Sequence, residues 1–561
     1  MDSAARWLWR VAGRKKAYVL ALTLIQGASG GLGVLYALLL RNIVDSAVGH
    51  DGGAFRHHVV LIIALVVLQI SLSAVVRWLN ELARSDIENR FKQRLTDNIL
   101  RKEFSAVSAT HTAEWLNRLT NDTTVVANGI VEILPGLTGT IVRLVSAVIM
   151  VIALDRMFAA ILVPGGVVLC VLAYAFRKTL KRLHKNIQES DGRLRVFLQE
   201  HIGSLMMIKS FVAEEQTSRE AAKAMNDHKA ARMRRNRFSN VANVGFAAAM
   251  QGMYLLGVVY CAYGILRGTV SYGTLTAVMQ LIGQIQGPFV NISGYLPRFY
   301  AMTASAERLM EIEAFADDET ARDADDVYDY YLESFAALGL RDASFTYESG
   351  DGSPVVLDGV AVESKKGEYV AFAGHSGCGK STVLKLLMCM YPLRSGERYI
   401  TGTEGETPLD ASWRRLFAYV PQGNALMNGT IREVVSFADP DAAHDETRLR
   451  RALEISCADE FVGDLDAVLG ERGSGLSEGQ TQRLAIARAV FSDCPVLLLD
   501  ESTSALDEVT EQRLLQNLRA MTDMTVVIVT HRKAALKICD RVLRFTETGV
   551  EDATALPEHT V

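Results

Sequence analysis

The chain has 561 residues, 49% of them hydrophobic and 22% charged, with a formal net charge of -5 at pH 7. The length exceeds one ordinary domain, and so nearly balanced a charge excludes a general attraction for nucleic acid. Mean hydropathy is +0.14, high for a soluble protein, and the apolar excess lies in residues 1–300. A membrane half followed by a soluble α/β half is expected. The seven cysteines (Cys170, Cys261, Cys378, Cys389, Cys457, Cys494 and Cys539) are odd in number and include no C-x-x-C pair. Five lie in the second half, which fits a reducing cytosol and argues against a disulfide or zinc framework.

In chain order, Arg6, Arg10, Arg14, Lys15 and Lys16 precede the first apolar run, and Ala28-Ser29-Gly30 could pass as a cleavage site. The run continues to residue 40, too long for a signal-peptide core, so an uncleaved membrane helix is expected. Trp7-Leu8-Trp9 suits an interfacial elbow, since Trp favours the headgroup zone. Six segments approach the ~20 residues needed to span a bilayer: 17–40, 58–79, 132–154, 157–176, 242–266 and 273–297. The two long connections hold seven and fifteen Lys/Arg, in residues 80–130 and 177–240. The three short connections hold one or two each. Cations gather on the cytosolic side of membrane proteins, and an even number of spans returns the second half there. The expected product is a multi-pass protein of the cytoplasmic membrane, with its N-terminus and second half in the cytosol.

The first span carries Gln26, Gly27, Gly30, Gly31 and Gly33, and the sixth carries Gln280, Gln284, Gln286 and Asn291. Such residues serve either as glue between helices or as the lining of a polar lumen. The sixth span as a whole favours the lumen. Arg143 is the single charge well inside a span; it could meet an anionic group on a cargo or pair with a neighbouring helix. Residues 313–335, with Asp317, Asp318, Glu319, Asp323, Asp325 and Asp326, read as a solvated linker between a membrane domain over 1–312 and a second domain over 336–561.

In the second domain Gly374-His375-Ser376-Gly377-Cys378-Gly379-Lys380-Ser381 matches the phosphate-binding pattern G-x-x-x-x-G-K-[ST]. It follows the apolar run 368–373 and opens a predicted helix, the context the motif requires. The glycines let backbone N–H groups close round phosphates, and the helix N-terminus adds its dipole. Gly374, Ser376, Gly377, Cys378, Gly379, Lys380, Ser381 and Thr382 are therefore the expected ATP contacts. Lys380 places a point charge on the terminal phosphates and Ser381 a hydroxyl on Mg²⁺. Val496-Leu497-Leu498-Leu499-Asp500-Glu501 ends a buried strand on two carboxylates. Asp500 is expected to act on Mg²⁺ through water, and Glu501 to polarise the attacking water. A surface acidic pair would not explain the four apolar residues before it.

Together with Leu476-Ser477-Glu478-Gly479-Gln480, these motifs resemble those of an ABC half-transporter of the exporter type (type IV fold). In that family six transmembrane helices are fused to an α/β P-loop ATPase domain of ABC type. The resemblance covers nearly the whole chain and implies further roles. Tyr347 would stack on adenine. Gln422 would sense Mg²⁺ and water. Ser477, Gly479 and Gln480 would reach the partner's ATP across a dimer. Ser504-Ala505-Leu506-Asp507 would be the D-loop, and His531 would read the γ-phosphate. Glu471-Arg472-Gly473 resembles the exporter X-loop, and residues near 110–120 and 205–215 the coupling helices. One departure stands out: Glu478 replaces the first signature glycine, so its side chain must point away from the phosphates. No cysteine-peptidase domain is read ahead of the first span, which weakens a leader-cleaving peptide exporter.

The expected activity is ATP-driven export by a homodimer, or by a dimer with a related half-transporter, in which hydrolysis resets alternating access. Small-molecule, lipid and peptide cargoes all stay open. Two rivals are an importer on the same fold and an ATP-gated channel or regulatory ATPase.

Overall fold

The apolar runs of the first three hundred residues become helices much longer than a bilayer is thick. The computed structural model describes residues 2–347, 354–423, 426–470, 473, 475–521, 523–546 and 549–554. Helices α1 (Asp2–Ala12), α2 (Lys16–Val48), α3 (Gly52–Arg101), α4 (Phe104–Ser108) and α5 (Thr112–Asn117) come first. They are followed by α6 (Thr123–Leu154), α7 (Arg156–Gly203), α8 (Leu205–Ser210), α9 (Glu214–Leu266) and α10 (Tyr272–Glu311). At ~1.5 Å per residue, α3 and α9 are about 75–80 Å long, more than twice the ~30 Å of a hydrocarbon core. Their polar halves must therefore stand outside the membrane.

Among the described residues, four helical segments are long and apolar enough to cross a membrane: Ala4–Val48, Gly52–Arg101, Thr112–Leu154 and Glu214–Leu266. The remaining expected spans, 157–176 and 273–297, lie on α7 and α10, where some of the side chains are not described. The first apolar run continues unbroken through α2, with Ala28-Ser29-Gly30 in mid-helix.

The chain divides into two compact units, Met1–Asp97 with Ala113–Glu313, and Asn98–Thr112 with Ala314–Val561. In the first, α2, α6 and α10 pack on one another and α7 pairs with α9. Small residues permit the closest approach: a Cβ on Gly30 would stand 2.7 Å from the Gly139 carbonyl oxygen. Gln284 Nε2 donates to the Gly33 carbonyl at 2.6 Å. For this residue of the sixth span the structure shows a contact of the helix-glue kind: the amide reaches a backbone carbonyl on the glycine-rich α2, while its Oε1 is buried with no partner among the described residues. The side chains of Gln286 and Asn291 lie outside the described residues. Arg143 is exposed on α6. Between α5 and α6 the chain makes one π-helical turn, Arg118–Asp122. Both end residues are buried and tied to α10: Arg118 to Glu311 at 2.7 Å, and Asp122 to Arg308 and Ser305.

The second unit contains α11 (Ala324–Glu333), then β1 (Phe335–Phe345), β2 (Leu357–Lys365), β3 (Tyr369–Gly374), α12 (Lys380–Leu387), β4 (Ser395–Gly402), β5 (Gly405–Pro408) and β6 (Phe417–Val420). It continues with β7 (Gly429–Thr430), α13 (Ile431–Val435), α14 (Glu446–Ile455), β8 (Val468–Leu469), α15 (Glu478–Phe491), β9 (Val496–Asp500), α16 (Glu508–Arg519), β10 (Thr525–Val529), α17 (Lys533–Ile538), β11 (Arg541–Thr546) and β12 (Gly549–Asp552). One sheet runs β12-β11-β3-β10-β9-β6, parallel except for β12; a second, β2-β1-β4-β5, is antiparallel, and β7 and β8 form an antiparallel pair. Strands β9 and β10 are buried along their whole length, as strands covered on both faces must be. Alternate residues of β9 feed two apolar cores: Leu497 and Leu499 one, Val496 and Leu498 the other.

Two sequence expectations shift. Residues 313–335 are not all solvated, because α11 buries Val327 and Tyr331 in the core beneath β1. The acidic residues mark its solvent face, and Tyr331 hydrogen-bonds Thr525 at 2.8 Å. In addition, the loop segment that joins the second unit is 98–112, earlier than 110–120. Glu103 N–H donates to the Ala316 carbonyl, Asp318 N–H to that of Arg101, and Phe104 meets Tyr391 edge-on at 5.6 Å.

Candidate functional site

Sheet register brings the chemistry to one edge. Phe372 and Asp500 both pair with Val529, and Val420 pairs with Leu499. The carboxyl ends of β3, β10, β9 and β6 therefore lie side by side, the edge where doubly wound sheets bind ligands. From that edge emerge the phosphate loop after β3, His531 after β10, the Asp500–Glu501 pair on β9, and Gln422 after β6.

The loop from Gly374 to Lys380 needs its glycines. Gly374, Gly377 and Gly379 have φ of 135°, 85° and 95°, a region that side chains resist. Lys380 is 4% exposed and turns back over the loop, its Nζ donating to the carbonyls of Gly374 (2.7 Å) and His375 (2.8 Å). The Cys378 Sγ lies 3.6 Å from that nitrogen. A buried ammonium, a glycine-built turn and the first N–H groups of α12 form a cradle that suits phosphate oxygens.

Beside the cradle, Ser381 Oγ donates to Asp500 Oδ1 at 2.8 Å, and Tyr419 Oη to Asp500 Oδ2 at 3.1 Å. Asp500 is 1% exposed. Burial raises its pKa above the usual carboxylate value, against the two hydroxyl donors that lower it. Burial first, and then the neighbouring Asp500, likewise raise the pKa of the Tyr419 phenol. A buried carboxylate beside a hydroxyl, without a cation in contact among the described residues, fits a divalent metal. Ser381, Asp500 and Gln422 are the residues that would hold Mg²⁺.

Glu501 adopts φ 48°, uncommon for a non-glycine residue, with its N–H bound to the Val529 carbonyl at 3.1 Å. Its carboxylate accepts from Gln422 Nε2 at 2.8 Å, and His531 Nε2 lies 3.8 Å away. Gln422 and His531 thus meet at Glu501, next to Asp500, which Ser381 ties to the phosphate loop. Tyr347 is half-exposed; its hydroxyl lies 3.0 Å from Thr382 Oγ1, and its ring meets Tyr391 edge-on at 5.3 Å.

The signature segment sits apart. Ser477 caps α15, its Oγ accepting from Gln480 N–H at 3.2 Å while Gln480 Oε1 accepts from Ser477 N–H at 2.9 Å. Among the described hydrogen bonds none joins residues 477–480 to the phosphate loop. Gly479 instead presses on the D-loop, where a Cβ would come within 2.9 Å of the Ala505 carbonyl oxygen. Glu478 is exposed in the first turn of α15, where an acid complements the helix dipole. Glu471 and Arg472 of the X-loop lie outside the described residues.

Three side chains that no motif announces complete the site. Tyr419 holds Asp500. The buried Gln482 clamps the D-loop, donating to Ser504 Oγ and accepting from Ala505 N–H, both at 3.1 Å. Arg532 donates to the carbonyls of Ser504 and Leu506 and to Glu511. Their only signal in the sequence is adjacency to motif residues.

The sequence profile of the ABC transporter transmembrane region matches residues 19–289, and that of the ABC transporter ATPase matches 357–504. The chain is 28% identical over 530 residues to the multidrug resistance ABC transporter ATP-binding and permease protein of Lactococcus lactis subsp. lactis, covering 93% of this chain and 88% of that one. It is 26% identical over 539 residues to the ATP-dependent lipid A-core flippase of Mannheimia succiniciproducens, with 93% and 89% coverage. In fold it is similar to a bacterial Atm1-family ABC exporter solved with ATP bound, at a TM-score of 0.78 and 20% identity over 96% of this chain and 95% of that one.

Proposed function

This chain belongs to the ABC transporters, as a half-transporter of the exporter type, and from that premise we propose that two copies dimerise and couple ATP hydrolysis to export through alternating access. The single observation that carries this reading is Glu501: its carboxylate sits beside Asp500, within 2.8 Å of Gln422 and 3.8 Å of His531. In this reading Lys380 and the N–H groups of residues 376–382 hold the phosphates, and Tyr347 offers its ring to adenine. Bound Mg²⁺ supplies neutralising charge at the phosphates. Glu501 accepts a proton from the attacking water, Gln422 and His531 fix that water's orientation, and Ser477 and Gly479 close over the partner's γ-phosphate. Completion of the site by a second copy is what turns ATP binding into a closing force.

The cytoplasmic membrane is the proposed location, with residues 80–131, 177–241 and the ATPase domain in the cytosol, on the strength of the Lys/Arg excess in those segments. The relatives' printed names, multidrug resistance and lipid A-core flippase, set the first compounds to try. The test uses the purified chain in proteoliposomes. ATPase stimulation by a compound, together with its ATP-dependent accumulation in vesicles whose ATPase domains face outward, is expected. Movement in the opposite direction would establish the importer reading, and stimulation without flux would establish a channel or regulatory ATPase.

A further inference from the structure

Two helices leave the membrane half through a zone that is wholly basic. On α7, Phe176 is followed by Arg177, Lys178, Lys181, Arg182 and Lys185, with no acidic residue before Glu189. On α9, Lys229, Arg232, Arg234, Arg235 and Arg237 precede the apolar run 241–266, with no acidic residue after Asp227. The two stretches stand at one height, because the antiparallel helices are pinned twice. Phe176 meets Phe238 edge-on at 5.6 Å, and Ser190 Oγ lies 3.2 Å from His228 Nδ1. Between the pins α7 rises about 21 Å. The five α9 cations and Arg182 therefore share one short band directly below the apolar runs.

The five α9 cations are all exposed, and none has an ion-pair partner among the described residues. Below them the charge is already balanced: Asp191 lies near Arg195 and His228, and Lys185 near Glu189. At about 100° per residue, Lys229, Arg232, Arg234, Arg235 and Arg237 surround the axis of α9 with no gap wider than roughly that angle. A cavity that received an anionic cargo would gather its cations on one face. A ring of cations that begins one turn below the apolar run and extends to about 18 Å from it fits a helix that leaves the bilayer through a layer of negative headgroups.

We infer that this band is a binding surface for anionic phospholipid headgroups of the cytosolic leaflet. The inference rests on the topology proposed above. Each exposed cation at such a surface adds attraction to anionic lipid that is screened within a Debye length.

The test reconstitutes the full-length protein in phosphatidylcholine vesicles containing a trace of spin-labelled phosphatidylglycerol or spin-labelled phosphatidylcholine. The fraction of each label immobilised by the protein is then measured. Phosphatidylglycerol should be favoured about tenfold at low salt, and the preference should shrink as salt rises. The R232Q/R234Q/R235Q/R237Q variant should lose most of it, and the same four positions changed to Lys should keep it. Equal immobilisation of both lipids by the unaltered chain, or a preference unchanged in the Gln variant, overturns the inference. So does loss of preference in the Lys variant, which would point to guanidinium-specific capture of a cargo or of the second copy. The salt series on the unaltered chain decides the matter even if the Gln variant misfolds. Labelling of a Glu215→Cys variant from each side of the membrane reports the topology separately, so its failure is distinguishable from failure of the lipid surface.

Discussion

The phosphate loop and the signature segment are both glycine-bearing turns that open a helix in the same unit, yet they are built to opposite ends. The phosphate loop holds three glycines at positive φ and folds Lys380 back over itself, which builds a cradle for a ligand in its own chain. The signature segment has closed on itself. Ser477 and Gln480 satisfy each other's N–H groups, and Gly479 is small because the Ala505 carbonyl lies against it, not because its backbone is unusual. A glycine in a motif can thus answer to the ligand or to the protein. The phosphate loop has its charge and its N–H groups within one chain, whereas in the proposed dimer the signature turn serves the partner's site.

The largest expected effect tests the phosphate-loop side. Glu501→Gln keeps the size and leaves Lys380, Ser381 and Asp500 in place, so ATP should bind normally while turnover falls by roughly 10²–10⁴. The variant should collect as a closed dimer with ATP retained, seen by size exclusion after ATP loading. Near-normal turnover would remove Glu501 as the base. Lys380→Ala is the converse, because it takes the one charge from the cradle; nucleotide affinity should fall and no closed dimer should form.

The signature turn is tested by Gly479→Ala. The added methyl must displace the Ala505 carbonyl, so the D-loop shifts while the phosphate loop is untouched. ATP binding by separated monomers should be unchanged, and turnover should drop by at least about tenfold, in the range seen when a positioned catalytic group is displaced. An equal loss of ATP affinity would mean that the phosphate loop and the signature turn are not independent.

A smaller effect concerns pH. Asp500 has its pKa raised on folding, so in metal-free protein its favourable contribution to stability is present at low pH and is lost as pH rises through the folded value. Mg²⁺ needs the ionised form. The Mg²⁺ concentration for half-maximal hydrolysis should therefore increase as pH falls. Tyr419→Phe, which deletes a donor to the ionised carboxylate, should steepen that dependence. The smallest change is expected from Glu478→Gly. The side chain is exposed and makes only a helix-dipole interaction, so turnover should stay within about twofold and stability should fall by about 0.5–1 kcal/mol, by thermal denaturation. A large gain in activity would mean that Glu478 does oppose the partner's phosphates.

The same contrast explains how much is legible in the sequence. The phosphate loop, Asp500 and Glu501 can be read there because each role demands a residue type at a fixed step from a buried strand. The apolar runs can be read because bilayer thickness sets their length, and four of the six lie on helices long and apolar enough to cross a membrane among the described residues. Gln482 and Arg532 cannot, because their partners are D-loop carbonyls and hydroxyls that any helix-borne amide or guanidinium could reach. Gln284 reads equally as lumen lining or as helix glue because composition cannot tell a lumen from a neighbour's backbone carbonyl. The acidic stretch 313–335 hides α11 because its two anchors, Val327 and Tyr331, are outnumbered by its solvent-facing carboxylates.

Segment Asn98–Thr112 carries one further consequence, which concerns time. It is made about two hundred residues before Ala314, where the rest of its unit begins. At roughly 5–20 residues per second, it waits some ten to forty seconds on the ribosome before β1 and its neighbours exist. Throughout that interval the Glu103 N–H and the Arg101 carbonyl lack their eventual partners, and Phe104 lacks Tyr391. The nascent chain must hold α4 in water, or in the care of a chaperone, while the rest of the membrane half is made, so assembly of this protein is ordered by synthesis from the membrane inward.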